Sequence, residues 1–171
     1  MANYMKIKNW DTANGEGLGV SIFFSGCDKV PKCKGCFNKE SWDCNAGKPF
    51  AKESIIELLD LVCNSHISHL SILGGEPLAE CNVREVANLC YKIKRYYPDK
   101  KIWLWTHYTW EELIEDSFMH RCIFPYIDVL VDGEYIEEQR DLTLKWRGSK
   151  NQRVIDINKS LYKLEPVLYC K

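Results

Sequence analysis

The sequence predicts an α/β fold, a mostly parallel sheet that is either open or part of a (β/α) barrel, in a single domain spanning residues 1–171. Three observations predict it. Apolar, β-branched runs alternate with helix-periodic stretches in the order β, α, β, α, β, α, β, which requires crossovers between parallel strands. The length of 171 residues suits one domain and falls short of the roughly 250 that a complete eight-stranded barrel takes. Chemically distinctive turns follow the strand runs directly, and the carboxyl ends of parallel strands are where ligands gather.

Residues 19–24 (GVSIFF) are β-branched and aromatic and read as a buried strand. A cysteine-rich loop follows from residue 25 to about 42. Over residues 52–63, Ile55, Leu58, Leu59 and Val62 recur at i, i+3, i+4 and i+7, the stripe of an amphipathic helix. Residues 69–73 (HLSIL) form a short strand that ends in Gly74-Gly75-Glu76-Pro77. Val83, Val86, Ala87, Cys90 and Ile93 mark a second helix to residue 97, which Pro98 and Asp99 stop. Residues 102–105 are the third strand, Thr109 opens a shorter helix to about residue 119, and residues 127–131 are a strand ending at Asp132-Gly133. The segment from Arg153 (RVIDI) adds a last strand.

Composition excludes several classes. Hydrophobic residues at 46% and charged residues at 27% are those of a globular chain, and 12% aromatic content is too high for a disordered one. No apolar run approaches the roughly 18 residues of a membrane span. The net charge of −1 argues against nucleic-acid binding, which depends on clustered Lys and Arg. The polar stretch over residues 1–15 has no apolar core of an export signal, so a cytoplasmic location is expected. With nine cysteines, an odd number, the expectation is free or metal-bound thiols. Cys63 and Cys90 sit at helix-periodic positions and read as small buried hydrophobes, as do Cys81, Cys122 and Cys170. His66 and His69 read as surface or capping residues, and Lys29, Lys32 and Lys34 as solvated loop charges.

Cys27, Cys33 and Cys36 are different, because three thiols crowd into ten residues. Thiolates at this spacing bind soft metals or clusters. Three ligands would leave one iron of a cubane open to a substrate, whereas Cys44 as a fourth ligand would close a structural zinc site. The spacing leaves both readings open. In Gly74-Gly75-Glu76-Pro77, the glycines permit close backbone approach to a ligand and the carboxylate can accept from an ammonium group. Trp103 and Trp105 share one strand face and read as core packing.

These residues resemble a known family. Ser25-Gly26-Cys27, then Cys33-Lys34-Gly35-Cys36-Phe37-Asn38-Lys39 and Ser41-Trp42, are similar to the cluster loop of radical S-adenosylmethionine activating enzymes. Gly74-Gly75-Glu76-Pro77 resembles their methionine-binding turn. Asn14-Gly15-Glu16-Gly17, residues 102–106, residues 128–133 and residues 146–153 (WRGSKNQR) are similar to one subgroup, the activators of anaerobic ribonucleoside-triphosphate reductase. The resemblance spans about residues 4 to 156, with one departure: five residues separate Cys27 from Cys33, where the family usually has three.

The resemblance implies a radical S-adenosylmethionine partial barrel in which Cys27, Cys33 and Cys36 hold three irons of one [4Fe-4S] cluster. It implies that Gly74, Gly75 and Glu76 cradle the methionine end of S-adenosylmethionine. Phe37 would pack on the adenine, beside the backbone of Gly35 and Cys36. Reductive cleavage would yield a 5′-deoxyadenosyl radical, which forms a glycyl radical on the large catalytic subunit of the reductase. A low-potential donor such as flavodoxin would supply the electron. Residues 134–153 are the expected docking segment for the reductase, and His107 is expected at the rim. An activator of another glycyl-radical enzyme, such as formate acetyltransferase, and a non-catalytic zinc-binding module are the alternative readings.

Overall fold

A computed structural model describes residues 2–169. Its strands are β1 (Asn3–Asp11), β2 (Gly19–Phe24), β3 (Lys48–Pro49), β4 (His69–Gly74), β5 (Lys101–Trp105), β6 (Val129–Asp132) and β7 (Arg153–Asp156). Its α-helices are α1 (Lys52–Val62), α2 (Val83–Tyr96), α3 (Trp110–Ile114) and α4 (Ile157–Lys163). The strands form one sheet in the order β3-β1-β2-β4-β5-β6-β7. The four central strands β2, β4, β5 and β6 are parallel, as expected. Both edges are antiparallel, so the sheet is mixed: β1 and β3 flank one side and β7 the other.

The register explains the division into two faces. Ile22, Ile72, Leu104, Leu130 and Ile155 align across the sheet, all fully buried. This row packs with Leu58 of α1, Leu89 and Ile93 of α2, Trp110 of α3 and Ile157 of α4, so every α-helix lies on one face. Side chains one residue away point to the other face. There Ser21, Ser71, Trp103 and Val129 align. Trp103, Val129, Val131 and Val154 form a second, smaller cluster, covered by Trp105, Trp146 and Tyr169.

Three expectations change. The polar N-terminal stretch is a nine-residue strand, β1, with only Tyr4 and Asp11 buried, so no strong apolar alternation announces it. The third helix ends at Ile114 rather than near residue 119. There Asp116 accepts hydrogen bonds from the Phe118 and Met119 N–H groups, and the chain goes on as short π and 3₁₀ turns to Tyr126. Local side-chain acceptors of this kind compete with the helical ladder. The strand at Arg153 is present and runs antiparallel to β6. Among the described residues, no helix is long and apolar enough to cross a membrane.

Candidate functional site

The loops after β2, β4, β5 and β6 meet around a cavity of about 450 Å³ on the face away from the helices. Cys27, Cys33 and Cys36 all line it, with Gly74, Gly75 and Phe37. The three thiols are free and half-buried. Burial pushes the Cys27 and Cys33 thiols up, so metal binding at these sulfurs would release their protons. Cys33 and Cys36 share a tight turn, in which the Cys36 N–H donates to the Cys33 carbonyl at 3.3 Å. Among the described residues, no three His, Cys, Asp or Glu side chains stand close enough to hold one ion. The donor set itself, three sulfurs on one cavity wall, fits an iron–sulfur cluster with a position left for a substrate.

The glycines of Gly74-Gly75 are required by backbone crowding. Gly74 has φ +135°, and a Cβ there would strike the Phe24 backbone; one on Gly75 would strike the carbonyl of Gly26. The Gly75 N–H donates to the Phe24 carbonyl at 2.9 Å and the Glu76 N–H to the Gly26 carbonyl at 2.6 Å. This turn is thus laced directly to the residues that carry Cys27.

Glu76 is 1% exposed and does not line the cavity. Its carboxylate accepts from the N–H groups of Leu78 and His107, both at 2.8 Å. Burial raises its pKa to about 7. Glu76 therefore ties the turn after β4 to the turn after β5. His107 does reach the rim, where its Nε2 lies 2.9 Å from Asp28, and the Tyr108 hydroxyl donates to the same carboxylate at 2.8 Å.

A clasp on the cysteine loop was missed in the sequence. Lys29 is half-buried rather than solvated and pairs with Glu134 at 2.5 Å, while Lys34, exposed as expected, pairs with Glu138 at 2.9 Å. The Lys32 ammonium donates to the Cys27 carbonyl. Gly35, at φ +73°, leaves room for the Glu137 side chain. Phe37, 63% exposed, packs edge-on against Tyr135 at 5.6 Å with the Arg140 guanidinium over its ring. Residues 134–140 thus lie along residues 29–37. The only sequence signal was opposite charge, spread over a separation of 104 residues for Lys34 and Glu138.

The WRGSKNQR stretch holds this clasp from behind. The Gln152 side chain accepts from the Gly148 and Ser149 N–H groups and donates to the Gly133 carbonyl. Asn151 donates to the Glu134 carbonyl at 2.8 Å and Arg147 to the Gln152 carbonyl at 2.7 Å. Trp105 and Trp146 form one wall of the cavity, joined by an indole hydrogen bond of 2.8 Å from Trp105 to the Trp146 carbonyl. His69 is fully buried rather than at the surface; its Nε2 meets the Asn14 carbonyl at 2.8 Å, and Gly15 and Gly19 leave space for the ring. Burial lowers its pKa.

The remaining cysteines separate. Cys44 pairs with Cys81 across 37 residues rather than with Cys27, Cys33 or Cys36, and Cys81 is thus not the lone small hydrophobe expected. Cys90 is buried as expected, its thiol pushed up to about 12 by burial, whereas Cys63 is exposed because it stands just past the last turn of α1. Cys122 is half-buried, and Cys170 lies outside the described residues.

The family described as "4Fe-4S single cluster domain" matches residues 13–155, and this chain carries such a domain. An anaerobic ribonucleoside-triphosphate reductase-activating protein of Vibrio cholerae is 41% identical over 152 residues, 88% of this chain and 95% of the relative. Proteins of the same description from bacteriophage T4 and Escherichia coli K12 are 37% and 36% identical, each over 89% of this chain and over 92% and 97% of the relative. The chain belongs to the family of anaerobic ribonucleoside-triphosphate reductase-activating proteins.

Proposed function

We propose that this chain installs a glycyl radical on the large catalytic subunit of an anaerobic ribonucleoside-triphosphate reductase, using a [4Fe-4S] cluster held by Cys27, Cys33 and Cys36 and S-adenosylmethionine. One observation carries the reading: three free thiols and the Gly74-Gly75 turn line one cavity at the carboxyl ends of parallel strands. Held by Cys27, Cys33 and Cys36, such a cluster would supply the one-electron reduction that cleaves S-adenosylmethionine and so provides the oxidant for a reductase glycine. In this reading the sheet is a partial (β/α) barrel of the radical S-adenosylmethionine type. Four parallel strands in sequential order with all α-helices on one face support that.

The chain's own residues bind, orient and shield. Gly74 and Gly75 offer backbone to the methionine end, and Glu76 holds that turn in place from below. Phe37 offers an apolar ring to the adenine beside Gly35 and Cys36. Trp105 and Trp146 keep water off one wall. Residues 134–153 form the lip toward the reductase, and a flavodoxin-type donor in the cytoplasm completes the system.

The test is anaerobic reconstitution with iron and sulfide, followed by reduction in the presence of S-adenosylmethionine. About four iron and four sulfide per chain are expected for a single cubane, with 5′-deoxyadenosine formed and a glycyl doublet in spin resonance once the reductase is added. Alanine at Cys27, Cys33 or Cys36 should abolish cleavage. One zinc and no iron, or undiminished cleavage in any of the three variants, would refute the assignment.

A further inference from the structure

We propose that Cys44 and Cys81 form a reversible thiol–disulfide exchange site that sets how firmly the backbone around Cys27 is held. The pair sits where two arms of the chain meet. Cys44 closes the return of the cysteine loop, whose Ser41 and Trp42 carbonyls accept from the N–H groups of Gly26 and Cys27 at 2.7 and 3.1 Å. Cys81 closes the turn after β4, whose Glu76 N–H donates to the Gly26 carbonyl and whose neighbouring Asn82 donates to the Ser25 carbonyl at 2.7 Å. Residues 25–27 are therefore gripped from both sides by the two arms that the sulfurs join. Gly26 lies directly against the pair: a Cβ there would stand 2.6 Å from both Cys44 and Cys81 sulfurs. The two-sided grip and the Gly26 contact are independent observations of the same coupling.

Both cysteines are half-buried, so a small thiol or disulfide can reach them. Cys90, wholly buried, is not reachable in this way. The exchange is balanced: the two thiols reduce one low-molecular-weight disulfide, such as oxidised glutathione. One sulfur–sulfur bond breaks, one forms between Cys44 and Cys81, and two small thiols leave with the protons. With the bond closed, the two arms cannot separate, and the three hydrogen bonds to Gly26 and Cys27 open together less often. With it reduced, they open independently.

The inference rests on loop geometry alone and stands apart from the cluster reading, so the test uses the full-length chain before iron is added. The chain is poised in glutathione buffers from reducing to oxidising. Alkylation mapped by mass spectrometry then reports which thiols have been lost, and amide hydrogen exchange reports the backbone. Cys44 and Cys81 should escape alkylation together, as a single cross-link to each other. Exchange at Gly26, Cys27 and Glu76 should slow by roughly tenfold or more in the oxidised chain. The double substitution C44S/C81S should exchange as the reduced chain does in every buffer. Independent alkylation of the two cysteines, cross-linking of either one to the trio, or equal exchange in the oxidised and reduced wild-type chain would overturn the proposal. The last comparison needs no variant, so poor folding of the double substitution leaves it decisive.

Discussion

Glu76 combines complete burial with two backbone N–H donors, and its pKa is raised from 4.5 to about 7 by the loss of water around it. The folded state therefore keeps a proton that the unfolded chain has released. Below pH 4.5 both states are protonated; between 4.5 and about 7 only the unfolded state gives up the proton, so stability falls as pH rises, and the loss levels off above 7. Glu76→Gln should remove this part of the pH dependence, worth on the order of 3 kcal/mol across the window. Urea unfolding of both chains across that range checks it, and parallel pH profiles would count against the assignment. Glu76 was legible in the sequence as a carboxylate that matters. Its direction was not, because the turn's backbone path decides whether a side chain after two glycines faces the cavity or the neighbouring amides.

At the scale of elements, the turn after β4 and the start of the cysteine loop behave as one unit. A Cβ on Gly75 would meet the carbonyls of Gly26 and Ser41, backbone atoms that cannot swing aside. Gly75→Ala should destabilise the chain by about 1–3 kcal/mol, as overpacking does, and should lower iron uptake on reconstitution; unchanged unfolding would contradict the crowding. The β6–β7 edge makes a second case. Arg153 bridges Glu111 and the buried Asp132, its fork reaching both carboxylates. Arg153→Met would leave Asp132 buried with only the Trp110 N–H, and breaking such a pair costs roughly 3 kcal/mol or more. A lowered urea midpoint with unchanged slope is the expected signature. The periodic helices α1 and α2 and the central strands were readable because their apolar spacing is local. Strand β1 was not, since its buried positions, Tyr4 and Asp11, stand far apart among exposed and half-buried ones and carry little alternation.

For the whole molecule, the functional reading makes residues 134–153 the surface that meets the reductase. Arg140 and Ser149 form an antiparallel bridge, so this stretch is an ordered, hairpin-like loop, and Leu142, 76% exposed, stands at the mouth of the cavity it helps to line. Leu142→Asp should weaken activation of the reductase by roughly tenfold, the scale of one lost apolar contact at an interface, and, because Leu142 also lines the cavity, should lower 5′-deoxyadenosine formation without the reductase by much less. Titrating glycyl radical yield against reductase concentration checks it; loss of both activities together would place Leu142 elsewhere in the machinery. The sequence by itself determined the parallel central strands, the turns that carry chemistry and the three clustered thiols, because periodicity and short motifs are written within a few neighbouring residues. Only the tertiary structure decided that Cys44 meets Cys81, that Glu76 turns to backbone amides and that residues 134–140 clasp the cysteine loop. Those contacts join distant parts of the chain, and their partners are set by the path of the backbone between them.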